Sequence, residues 1–89
     1  MAPSKGKRAK ERPSLQEVLA RNVAVRREQL GLSQEALGRQ CGFHYSYVGR
    51  LERGPDDPNP RLTTLEKLAA ALGTTVPELL TDQTTAGSN

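Results

Sequence analysis

The sequence is poor in the groups that build metal and redox sites. It has one cysteine and one histidine. Cys41 alone cannot close an internal disulfide or build a cysteine-ligated zinc site. His44 alone rules out a multi-histidine metal centre. There is no tryptophan, and the aromatic residues number three. The longest unbroken apolar run is Leu68 to Leu72, far short of the roughly 20 residues that span a bilayer. No apolar block follows the N-terminal charges, so the pattern of a secretory leader is missing. Nor is there a phosphate-cradling glycine loop, a carboxylate pair in a plausible cleft, or a cysteine–histidine arrangement for nucleophilic chemistry. The expectation is a reduced, cytoplasmic module that is not an enzyme. It should need no cofactor, no metal, no membrane and no small-molecule effector.

What is present fits a small domain. Eighty-nine residues, 35 % of them hydrophobic, make one domain with a modest core and a thin stability margin. Dimerisation would help it. The net charge of +3 is unevenly placed. Within residues 1–13, Lys5, Lys7, Arg8, Lys10 and Arg12 oppose only Glu11. Residues 62–89 are acidic on balance, with Lys67 against Glu66, Glu78 and Asp82. A basic front and an acidic rear fit a polyanion met from the N-terminal side, or a solubilising tail on a near-neutral domain.

Residues 1–13, with Pro3, Gly6 and Pro13 and no periodicity, read as a basic disordered arm. Residues 14–81 form the folded domain and 82–89 a polar tail. Ser14 and Glu17 fit a capping box at the start of a helix that should run to about Leu30 and stop at Gly31. Leu15, Leu19, Val23 and Leu30 share one face at helical spacing. Ser33 caps a short second helix ending near Gln40, and Gly42 follows at a turn that calls for a left-handed backbone. A third helix spans about His44 to Arg53, with Val48 and Leu51 turned inward. Residues 54–60 are a loop rich in proline and aspartate. Thr63 and Glu66 fit a capping box for a fourth helix carrying Leu65, Leu68, Ala69 and Leu72, ended by Gly73. Thr75 and Glu78 fit another box, with Val76, Leu79 and Leu80 as the apolar face of a fifth. Nothing alternates with period two.

The informative segment is Gln34 to Arg53. Two short helices joined by a three-residue turn must cross steeply, and the crossing needs a small residue. Gly38 fits that need, since a mid-helix glycine costs about 1 kcal/mol against alanine and asks for a return. Leu37, Cys41, Phe43, Val48 and Leu51 would fill the wedge. Tyr45, Ser46, Gly49 and Arg50 are then left on the outer flank of the third helix.

This stretch resembles the helix-turn-helix of the phage Cro/repressor superfamily, the XRE family. The likeness rests on Leu37, Gly38, Cys41, Gly42, Phe43, Val48 and Leu51. It extends through Leu30–Gly38 (LGLSQEALG), Arg50–Gly54 (RLERG) and Leu65–Leu80 (LEKLAAALGTTVPELL), covering about residues 15–80. It implies an all-α, five-helix repressor-like fold with the motif formed by helices two and three. It also implies a sequence-specific DNA-binding transcriptional regulator, a repressor acting as a homodimer on an inverted-repeat operator. Helix three resembles the recognition helix, which lies in the major groove of double-stranded DNA. Base contacts fall to Tyr45, Ser46, Gly49 and Arg50. Arginine can give guanine two parallel donors, worth about 1–3 kcal/mol of discrimination.

Backbone contacts fall to Ser33, Gln34, His44, Tyr47, Arg53 and Arg61. Gln34 matches the family's phosphate-contacting glutamine, and Ser33 is either a further contact or only a cap. His44 stands at a cap position where the family often has serine or threonine. Arg39 reads as a plain surface charge. Arg27 and Glu52 match a family ion pair between helices one and three, either buried and architectural or solvated. Val76, Leu79 and Leu80 resemble the family's dimer-forming end, or close the core. The stretch His44 to Gly54 also resembles restriction–modification controller proteins, which activate as well as repress. A different class is an antitoxin or adaptor that mainly binds a protein. Its mark would be a long apolar C-terminal extension, which residues 82–89 do not provide.

Overall fold

The computed structural model describes residues 13–54 and 59–83, which form five helices with no strand among them. These are α1 (Leu15–Gln29), α2 (Gln34–Cys41), α3 (Tyr45–Glu52), α4 (Leu62–Leu72) and α5 (Val76–Leu79). The basic arm, apart from Pro13, and residues 84–89 of the polar tail lie outside the described residues, as do residues 55–58 of the loop.

Local chemistry sets most boundaries. At the start of α1 the Ser14 hydroxyl accepts from the Glu17 amide at 3.1 Å, and the Glu17 carboxylate accepts from the Ser14 amide at 3.1 Å. Each satisfies a donor that the first turn leaves unbonded. Ser33 caps α2 through the Ala36 amide at 3.0 Å. Gly42 adopts φ 78° after α2, a conformation that disfavours any side chain. The Phe43 amide then folds back onto the Gly38 carbonyl at 2.7 Å and reverses the chain.

Two expected boxes differ from the sequence reading. Helix α4 begins at Leu62, with Arg61 as an N-cap that makes no side-chain cap bond. Thr63 thus lies inside the first turn, past the position where a hydroxyl can cap. At α5 the box is one-sided. Thr75 accepts from the Glu78 amide at 3.3 Å, but the Glu78 carboxylate turns to the Thr74 hydroxyl at 3.0 Å and to Arg26 at 3.4 Å.

One core joins all five helices. Leu19, Val23, Leu37, Val48, Leu51, Leu65, Leu68, Leu72 and Leu79 are buried in a single cluster with Cys41 and Ala69. Leu15 and Leu30 are exposed, not core. They stand at the two ends of α1, and the buried residues of the helix are Val18, Leu19, Ala20, Asn22 and Val23. Asn22 is buried and polar. Its amide donates to the carbonyls of Leu79 and Thr81, both at 2.8 Å. Those carbonyls lie at the end of α5, where no further turn can bond them, so Asn22 ties α5 to α1. Among the described residues no helix is long and apolar enough to cross a membrane. Among those residues no group of three or more histidine, cysteine, aspartate or glutamate side chains could hold a metal ion.

Candidate nucleic-acid interface

The tightest helix pairing is α2 against α3. A Cβ added at Gly38 would lie 2.9 Å from the Phe43 carbonyl oxygen and 3.4 Å from the Tyr45 Cα. Both neighbours are backbone, so only glycine lets the helices cross this closely. Val48 and Leu51 turn into the core, which fixes the roll of α3 about its axis. Tyr45, Ser46 and Arg50 are exposed on its outer flank, and Gly49 is half-buried beside the Gln34 side chain. Gly49 has room for a methyl group, with the Gln34 Oε1 at 3.5 Å as its nearest neighbour. Of the three aromatic residues only Tyr45 projects from the surface. Phe43 and Tyr47 are half-buried against the core, edge to face at 5.2 Å between ring centres.

A polar node holds the angle of α3. The Arg27 Nε donates to Glu52 at 2.6 Å and its Nη2 donates to the other carboxylate oxygen at 3.1 Å. The Arg27 Nη1 donates to the Leu32 carbonyl at 2.7 Å, and the Gln34 amide donates to Glu52 at 3.0 Å. The Arg27 and Glu52 side chains are 13 % and 8 % exposed, so the pair is buried and joins α1 to α3. The Glu52 hydrogen bonds raise the Arg27 pKa above its ordinary value, against the opposing effect of burial. Gln34 was read in the sequence as a phosphate contact alone; the fold gives it this second partner, 18 residues away, which no local pattern announces.

The other site residues are placed as follows. Ser33 is exposed and its hydroxyl caps α2. Arg53 and Arg61 are exposed at the end of α3 and the start of α4. His44, Tyr47 and Arg61 line one side cleft with Phe43 and Pro60. His44 is the N-cap of α3. Its Nδ1 accepts from the Ser46 amide at 3.2 Å, and its ring stacks on Tyr45 at 4.8 Å between centres. Val76 and Leu80 are half-buried against the core, whereas Leu79 is fully buried within its own chain. Burial pushes the Cys41 thiol pKa up, with Lys67 pulling the other way. Cys41 is a core group bonded to the Lys67 carbonyl at 3.6 Å.

The chain resembles control proteins and a transcription factor over most of its length. A helix-turn-helix family profile matches residues 23–79. Control protein C.SmaI of Serratia marcescens is 46 % identical over 69 residues, covering 78 % of this chain and 80 % of that protein. Control protein C.BamHI of Bacillus amyloliquefaciens is 38 % identical over 64 residues, covering 72 % and 75 %. The crystal structure of the hypothetical transcription factor NHTF from Neisseria superposes with a TM-score of 0.74 at 40 % identity, over 85 % of this chain and 86 % of that one. A family match from the middle of α1 to the end of α5, on helices crossing through Gly38, makes the chain a member of the XRE-type helix-turn-helix family of DNA-binding transcription regulators.

Proposed function

We propose that the chain is a sequence-specific transcriptional regulator that inserts α3 into the major groove of an operator and is not an enzyme. The observation that carries this reading is the division of α3. One flank, Val48 and Leu51, is locked into the core, while Tyr45, Ser46 and Arg50 stand exposed on the other. In this reading Arg50 reads guanine, Tyr45 meets a thymine methyl or a backbone oxygen, Ser46 meets a base edge, and Gly49 lets the backbone approach the duplex. Ser33, Gln34, His44, Tyr47, Arg53 and Arg61 surround this face and serve the phosphates. Gln34 has one amide hydrogen left for that purpose beside the one given to Glu52. The arm of residues 1–13 adds contacts that release counterions, so its deletion should flatten the salt dependence of binding.

A homodimer would place two copies of α3 about 34 Å apart on an inverted repeat. Val76 and Leu80 are the remaining candidates for the joint between copies. The control proteins among the relatives favour a second reading, a controller-type regulator that activates as well as represses. The test is the double variant Tyr45→Ala, Arg50→Ala, which should stay folded by circular dichroism. It should lose discrimination between selected operator and random duplex while keeping salt-dependent binding. Discrimination equal to that of the parent would remove α3 as the reading element.

A further inference from the structure

The cap of α3 carries a second contact that the helix does not need. Besides accepting from the Ser46 amide, the His44 Nδ1 lies 2.8 Å from the Ser46 hydroxyl oxygen. An amide in the first helical turn has no intrahelical acceptor, so the ring nitrogen that caps it must offer its lone pair. That nitrogen then has no hydrogen to give, and the proton of the neutral ring is on Nε2. It follows that the hydroxyl donates to the ring. Its hydrogen is committed to the ring and its lone pairs are left as acceptors, at an exposed position on the outer flank of α3.

We propose that His44 sets the hydrogen-bonding polarity of Ser46, so that Ser46 selects a base presenting an amino hydrogen, adenine or cytosine, on the strand it faces in the major groove. The inference rests on the reading of α3 as the groove-inserted helix. In the major groove adenine presents the N6 amino group and cytosine the N4 amino group, while guanine and thymine present acceptors. An acceptor-only hydroxyl therefore discriminates, where a freely rotating serine bonds either kind. His44 is a positioning residue here, acting through Ser46.

The test uses the full chain and selection of bound duplexes from a random pool at about pH 8. Comparison of wild type with Ser46→Ala locates the base pair that Ser46 reads, as the one position where preference collapses. Affinities are then measured with each of the four pairs at that position. Wild type should prefer the amino-bearing base by roughly tenfold. His44→Asn retains an oxygen acceptor for the Ser46 hydroxyl and should hold the preference. His44→Ala should relax it. A ranking that survives in His44→Ala, or that is lost in His44→Asn, overturns the proposal. So does Ser46→Ala leaving every position unchanged while Tyr45→Ala, Arg50→Ala still abolishes discrimination. Wild type selecting no sequence at all would overturn the groove-insertion reading itself.

Discussion

Replacing Glu52 by alanine tests whether the polar node supports the fold. The variant leaves the Arg27 guanidinium in a setting where its side chain is only 13 % exposed, without the two bonds of 2.6 and 3.1 Å to Glu52, and with the Leu32 carbonyl at 2.7 Å and the exposed Glu28 at 3.7 Å still in place. It also leaves the Gln34 amide without its partner. Breaking a buried pair by removing one member costs about 3–5 kcal/mol, because the remaining charge stays desolvated. A chain of this size has a total stability of roughly 4–13 kcal/mol. The loss is therefore a large fraction of the whole, and the melting temperature should fall by roughly 12–40 °C. Urea unfolding measures it directly, with the midpoint lowered and the slope retained. The double variant Arg27→Met, Glu52→Leu replaces the pair by apolar groups of similar volume and should recover most of the loss. A cost for Glu52→Ala below about 1 kcal/mol, the ordinary worth of an exposed pair, would refute the reasoning.

Gly38→Ala should destabilise by about 1–3 kcal/mol in urea unfolding, since its new methyl meets backbone at 2.9 Å; a neutral or stabilised variant would mean the helices can part freely. Gly49→Ala should stabilise by about 0.5–1 kcal/mol, since its methyl has space and a mid-helix glycine is unfavourable, yet it should weaken operator binding in a fluorescence-anisotropy titration if backbone approaches the duplex there. Cys41 should resist alkylation at neutral pH, because burial raises its pKa and keeps the thiol protonated, with labelling becoming fast only above the usual thiol range or on unfolding; rapid labelling of native protein would contradict the core placement. Asn22→Asp should destabilise by about 1–3 kcal/mol, as a carboxylate replaces the donor facing the carbonyls of Leu79 and Thr81; a melting temperature equal to that of the parent would argue against the tie between α1 and α5.

Much of this architecture is legible from short-range chemistry. The Ser14 box, the Ser33 cap and the turn at Gly42 each depend on residues within four positions of one another, so pattern alone locates them. The inward row of α3 follows from the spacing of Val48 and Leu51, which leaves Tyr45, Ser46 and Arg50 outside. Periodicity fails where it cannot know how far the body extends: Leu15 and Leu30 keep helical register with Leu19 and Val23, yet both are exposed among the described residues, at the ends of α1. It also fails for polar groups whose partners are remote. Asn22 is buried because the end of α5, more than fifty residues away, brings carbonyls to it. Gln34 meets Glu52 only because the turn at Gly42 folds α2 onto α3. The link between His44 and Ser46 is local, but it depends on which ring nitrogen faces the hydroxyl, and residue type does not specify that.

Helix α3 keeps its two duties on separate positions. Val48, Leu51 and Glu52 hold it in place, while Tyr45, Ser46 and Arg50 make no contribution to the buried cluster. The outward set is therefore exchangeable as a block. On the proposed insertion of α3 into the groove, grafting another trio onto the same eight-residue scaffold would alter what the protein recognises at little expense to folding, so new targets are reachable by few substitutions from a body that stays unchanged.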